Sequence, residues 1–204
     1  MSDSGGEEEL SASTAAALAE FLEERSKRSA AGQLDEDWQL SQFWYHSDTA
    51  AALAEEALRA AGPDGRIAFI SAPTAFKALR EPGQHLLLEF DSRFSAAFPH
   101  NFLAYDYRAP LDLPPELRGA FDVVLADPPF LSRECLAKTA ITIRFLAQPQ
   151  AKLILCTGAV MEEAAQQLLG LRPTPFQPRH SNNLANDFAC FANYVTQLPA
   201  ASPS

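Results

Sequence analysis

Four consecutive residues, Asp127-Pro128-Pro129-Phe130, place a carboxylate, a rigid carbonyl and an aromatic face side by side. An amine can give its two hydrogens to the Asp127 carboxylate and the Pro128 carbonyl, which leaves its lone pair aimed in one direction. Phe130 can hold the group that carries the amine by stacking or cation–π contact. The chemistry this predicts is alkylation of an amine, with Asp127, Pro128, Pro129 and Phe130 as the catalytic set and no metal. The competing reading is a Pro-Pro turn that merely ends a strand, and what precedes the tetrapeptide decides between them.

Phe121 to Ala126 (FDVVLA) contains a continuous apolar run with two adjacent valines, the pattern of a strand buried inside a parallel sheet. Pro128 and Pro129 cannot donate to a ladder, and Pro128 pushes Asp127 toward extended angles, so the strand must leave the sheet as a stiff loop. The carboxylate is thereby delivered to the carboxyl edge of the sheet, where open α/β sheets bind ligands. It is expected at an exposed rim on which no packing depends. In that position the tetrapeptide resembles the Asp/Asn/Ser-Pro-Pro-aromatic motif of S-adenosylmethionine-dependent amino-methyltransferases.

Other strands read from the same signals are Arg66 to Ser71, Leu86 to Phe90, Phe102 to Tyr105 and Lys152 to Thr157, with an alternating, aromatic-rich run at Phe188 to Tyr194. A helix capped by Ser47 or Asp48 ends before Gly62, and another spans Met161 to Leu169. Alternating strands and helices with a closing hairpin predict an α/β, Rossmann-like sheet of about seven strands, parallel except for one. After the first strand the usual Gly-rich turn is replaced by Ser71-Ala72-Pro73-Thr74, small residues that still let a ligand approach the backbone. Glu89 and Asp91 follow about 20 residues on, where doubly wound folds put a carboxylate on ribose hydroxyls. Asp106 and Tyr107 end the third strand and can meet an adenine amino group and ring.

Phe43, Trp44 and Tyr45 precede the first helix and are expected to close over a cofactor or line a substrate channel. The amide-rich loop Arg179 to Asp187 offers Asn182, Asn183 and Asn186 to a peptide backbone, beside the lone His180. Residues 1–33 form an acidic tail and an amphipathic helix over about Ser13 to Arg28; residues 34–198 form the catalytic domain and 199–204 a short tail.

The net charge of −10 is concentrated at one end: residues 1 to 37 carry 10 acidic and 3 basic groups, a net of −7, which leaves −3 for the rest. A nearly neutral domain disfavours a duplex-DNA enzyme, which wants a basic face for phosphates. Cys135, Cys156 and Cys190 form neither a CxxC pair nor a zinc pattern and read as reduced core residues. No apolar run approaches membrane-spanning length, and the acidic N-terminus is unlike a secretory or mitochondrial leader. These features predict a cytoplasmic protein with no membrane contact.

The segments WQLSQFWY, ISAPT, LLLEFD, FDVVLADPPF with LSRECLAKT, ILCTGAVMEE and PRHSNNLANDF together resemble the eukaryotic elongation factor 1-alpha lysine methyltransferase family, formerly labelled N6-adenine-specific DNA methyltransferase-like. The resemblance covers about Leu34 to Tyr194. It implies a seven-strand methyltransferase that uses S-adenosyl-L-methionine to methylate a lysine of the elongation factor, with no nucleic-acid partner. The alternative is nucleic-acid N6-adenine methylation.

Overall fold

The computed structural model describes residues 44–81, 83–181 and 187–200. The expected helix over Ser13 to Arg28, Phe43, Asn182, Asn183 and Asn186 lie outside those residues.

Seven strands form one sheet: β1 (Ile67–Ile70), β2 (Leu86–Glu89), β3 (Phe102–Ala104), β4 (Phe121–Ala126), β5 (Ala147–Gly158), β6 (Arg172–Pro173) and β7 (Phe188–Ala192). Their order is β3-β2-β1-β4-β5-β7-β6. The first five run parallel, and β7 is antiparallel to both of its neighbours. The expected sheet with one reversed strand is therefore present. β5 starts five residues earlier than the apolar run suggests, because Phe121 pairs with Ala147 before a register shift brings Val123 opposite Lys152.

The helices are α1 (Ser47–Ala61), α2 (Pro73–Lys77), α3 (Arg93–Ala97), α4 (Arg133–Leu146) and α5 (Glu162–Leu169). α1 is capped by His46, whose Nδ1 accepts from the Asp48 N–H, and not by Ser47 or Asp48. Gly62 ends it with φ 78°, a left-handed conformation that costs glycine little. The pleat sends alternate residues of each strand to opposite faces. Ala68, Ile70, Val124 and Ala126 pack with Leu136, Ile143 and Leu146 of α4 and Ala165 of α5. On the other face α1 lies on β1, β4 and β5, and the Phe69 ring meets Phe76 of α2 edge-on at 5.4 Å. β1 and all of β4 except Asp122 are buried, which explains why both read as near-continuous apolar runs.

Cys135, Cys156 and Cys190 are free and buried, as expected of core thiols. No described helix is long and apolar enough to cross a membrane.

Candidate active site

Five parallel strands deliver their carboxyl ends to one edge, and the candidate residues lie on the turns that leave it. Hydrogen bonds across the strand ends fix those turns: Asp127 N–H donates to the Ile70 carbonyl at 2.9 Å, Ser71 N–H to Leu88 at 2.8 Å and Tyr105 N–H to Glu89 at 3.1 Å.

Ser71 stands where a Gly-rich turn is usual, and its φ is +52°, the single positive φ outside glycine among the described residues. A non-glycine residue held there stores strain, a cost that clusters at ligand sites. Ala72 and Pro73, which opens α2, turn their side chains into the protein, and Thr74 is half-buried. Only the backbone of this turn and the side chains of Ser71 and Thr74 face outward.

Two carboxyl groups at the rim have no cation among the described residues. Glu89 is 6 % exposed, and its Oε1 accepts from the N–H groups of Phe90 and Asp91 at 2.9 and 3.1 Å. No described group hydrogen-bonds to Oε2. Burial raises its pKa to about 7, against the lowering effect of those two N–H bonds. Asp127 also rises to about 7, chiefly through burial, with the Tyr45 hydroxyl working against the rise and the Glu89 charge adding to it. Asp127 is half-buried, so it differs from the exposed rim carboxylate expected from sequence, and the Tyr45 hydroxyl lies near enough to act on it. The remaining acids are paired. Arg93 holds Asp91 through Nε and Nη2 at 2.9 and 2.6 Å, and Arg108 holds Asp106 at 2.9 and 2.7 Å, which lowers the Asp106 pKa.

Aromatic rings line the opening. Phe130 is 45 % exposed and meets Tyr107 edge-on at 5.8 Å, so the tetrapeptide and the end of β3 form one wall. Phe90, 54 % exposed at the end of β2, lies under the Arg108 guanidinium at 5.9 Å. Neither Phe90 nor Arg108 stood out in the sequence. The available signal was an aromatic directly after a buried apolar strand, where a solvated loop has no use for one.

Opposite them, residues 44–46 pair with 179–181. Tyr45 bridges His180, His46 N–H donates to the Arg179 carbonyl and Ser181 N–H to the Trp44 carbonyl, both at 2.8 Å. The Trp44 ring carries the Lys77 ammonium at 5.0 Å. The His180 ring is wedged between Tyr45 at 5.0 Å and Phe188 at 4.3 Å, and burial lowers its pKa to about 4. His180 is thus a neutral packing residue at physiological pH.

A family profile described as "Probable N6-adenine methyltransferase" matches residues 36–196, every element from α1 to β7. EEF1A lysine methyltransferase 1 of Homo sapiens is 46% identical over 97% of this chain and 98% of its own length, and that of Gallus gallus is 48% identical over 93% and 95%. The chain belongs to the EEF1A lysine methyltransferase family. A protein-lysine N-methyltransferase of Caenorhabditis elegans, 47% identical over 96% of this chain and 98% of its own length, is a further relative of this lysine methyltransferase. Among solved structures, 1,6-didemethyltoxoflavin-N1-methyltransferase of Burkholderia thailandensis superposes with a TM-score of 0.53 at 9% identity, covering 93% of this chain and 92% of that one. A TehB-like SAM-dependent methyltransferase from Corynebacterium glutamicum gives 0.50 at 16% identity, with 86% and 98% covered. At those identities the likeness is one of fold.

Proposed function

We propose that this chain is a protein-lysine N-methyltransferase that transfers a methyl group from S-adenosyl-L-methionine to a lysine of translation elongation factor 1-alpha. The near-full-length identity to enzymes named for that activity supports the substrate. The observation that carries the chemistry is Asp127, a rim carboxyl with no cation among the described residues, followed in the chain by Pro128, Pro129 and the exposed Phe130 ring. Three buried free thiols fit a reducing compartment, and we place the enzyme in the cytoplasm. Residues 34–198 are the catalytic domain, residues 1–33 an acidic arm and 199–204 a tail.

The rim suits the cofactor. Glu89 Oε2, with no described partner, is free to accept the ribose hydroxyls, and Asp91 orders the same turn through Arg93. The strained Ser71 turn, with Ala72, Pro73 and Thr74, would hold the methionine portion through its backbone, and Asp106 and Tyr107 would hold the adenine. The cofactor supplies an electrophilic methyl on a cationic sulfur. Everything else falls to the protein. Asp127 and the Pro128 carbonyl take the two amine hydrogens, Pro129 fixes the turn, and Phe130 packs on the lysine stem. Trp44 and Tyr45, together with Phe43, Asn182, Asn183 and Asn186, are the residues we assign to the substrate peptide.

Free lysine has a pKa of about 10.4, so about one in a thousand is neutral near pH 7. Enclosure in the site and the sulfonium charge lower that value. A carboxyl with a pKa of about 7 is only partly ionised and biases lysine toward ammonium less than a fixed anion would. Asp127 therefore orients the amine, whose proton leaves to water. The nitrogen–carbon bond forms as the carbon–sulfur bond breaks, with the two atoms held in line.

Purified protein incubated with methyl-labelled cofactor and a cell lysate tests this reading. Label should enter a protein of the elongation factor's mass, on lysine. Label in nucleic acid instead would favour the N6-adenine alternative.

A further inference from the structure

The Tyr45 hydroxyl is the polar atom that the reaction so far leaves without work. Tyr45 is 4 % exposed, and its hydroxyl oxygen is shut off from solvent with no hydrogen bond in the structure. It lies close enough to the Asp127 carboxyl and the Cys156 thiol for both to act on it, and burial drives its pKa far above the ordinary value. It therefore stays neutral and can only be useful as a donor or acceptor. A buried hydroxyl without a partner is destabilising, a cost that a purely structural position would avoid by using phenylalanine.

The residue is held firmly. Its carbonyl accepts from Ser181 Oγ at 3.1 Å, its backbone bridges His180, and its ring packs on the His180 ring. The groups acting on Asp127 among the described residues are then Tyr45 from this segment, Glu89 from the end of β2 and Cys156 from β5. Cys156 is already turned to Cys190, its register partner on β7. Glu89 offers a like charge. Tyr45 is the single neutral donor of the three that has no other partner.

We infer that Tyr45 is a positioning residue: its hydroxyl donates to the Asp127 carboxylate from the buried side and leaves the second oxygen turned to the acceptor amine. Catalytic hydrogen bonds are often long in an empty site and close when the substrate arrives. Tyr45 acts through Asp127 and does not touch the reacting atoms. The inference rests on the reading of Asp127 given above.

Tyr45→Phe tests it by two independent readouts. In the first, the Asp127 carboxyl carbon is followed by NMR in protein labelled with ¹³C aspartate, assigned by its loss in Asp127→Asn. Without the donor, the Asp127 titration midpoint should move up by about half a unit or more. The second is steady-state methylation of the elongation factor from pH 6 to 9. Here kcat should fall about tenfold, the loss of one hydrogen bond to a charged group. The acidic limb should move upward with it, while KM for the cofactor stays unchanged. The melting temperature should hold or rise, because an unpartnered hydroxyl has been removed. An unmoved Asp127 midpoint overturns the inference, as does a wild-type pH profile and kcat. A moved midpoint in a protein whose wild type does not methylate the elongation factor would sink the substrate reading and leave the role of Tyr45 standing. A lower melting temperature with an unmoved midpoint would make the hydroxyl structural.

Discussion

Glu56 is a buried carboxylic acid and Asp127 a half-buried one in the same domain, and the protein treats them in opposite ways. Glu56, 3 % exposed on α1, uses both oxygens: Oε1 accepts from Arg59 at 2.5 Å and Tyr194 at 2.8 Å, and Oε2 from Arg59 at 3.1 Å and the Gln197 N–H at 3.2 Å. A buried acid with that many donors fastens the chain after β7 to α1. Asp127 and Glu89 have no cation beside them among the described residues, and each is raised to about 7. Among the described residues the fold satisfies the carboxylate at Glu56 far more fully than the two at the rim, as the proposed roles of Glu89 and Asp127 toward cofactor and amine require. Buried polar groups are normally satisfied, so the exceptions point to where a ligand belongs.

The sharpest way to break that contrast is to remove Asp127. Asp127→Ala should slow methylation by about 10²-fold or more, the scale on which a misplaced reacting group is penalised. The melting temperature should change little, since no cation is left stranded and the Tyr45 hydroxyl already lacks a hydrogen bond in the empty site. Loss of folding would return the tetrapeptide to the role of a structural turn.

Removing Glu56 should do the reverse. Glu56→Ala strands the half-buried Tyr194 hydroxyl and one face of Arg59, and should cost about 2 kcal/mol of unfolding free energy, discounted for the partly exposed Arg59 and Tyr194. Chemical denaturation measures this, and activity per folded molecule should stay close to wild type.

A smaller effect follows from the raised carboxyls. From their ordinary values of 3.8 and 4.5 up to about 7, Asp127 and Glu89 keep in the folded chain protons that the unfolded chain has lost. Their contribution to stability is therefore fully present below about pH 4 and is lost as pH rises through 7. The Asp127→Asn, Glu89→Gln double variant should show a flatter fall in stability over that window than wild type in urea titrations.

Much of this molecule could be read from sequence because the signals are local. Val123 to Ala126 is a buried strand by its apolar run, and Pro128 ends it by chain chemistry alone, so the placement of the Asp127 backbone followed. What could not be read depends on chain segments far apart. Tyr45 is brought near Asp127 as residues 44–46 pair with 179–181, and nothing local in either segment announces the other. The same distance hid the early start of β5, where Gln148, Pro149 and Gln150 look like a turn and join the strand only because Ala147 finds Phe121. Ser71 was legible as a small residue but not as a strained one, since a positive φ in serine is imposed by the surrounding fold. The cap of α1 was misplaced by one residue because histidine supplied the acceptor expected of serine or aspartate.

The division of the rim into a cofactor half at Glu89 and an acceptor half at Asp127 is tested most directly by calorimetric titration of S-adenosyl-L-methionine into Glu89→Gln and Asp127→Asn, with turnover measured on the same samples. Glu89→Gln should weaken binding about tenfold or more, the loss of charge-assisted hydrogen bonds to the ribose. Asp127→Asn should bind within about twofold of wild type and fail in turnover. Wild-type affinity in Glu89→Gln, or loss of cofactor binding in Asp127→Asn, would contradict that division.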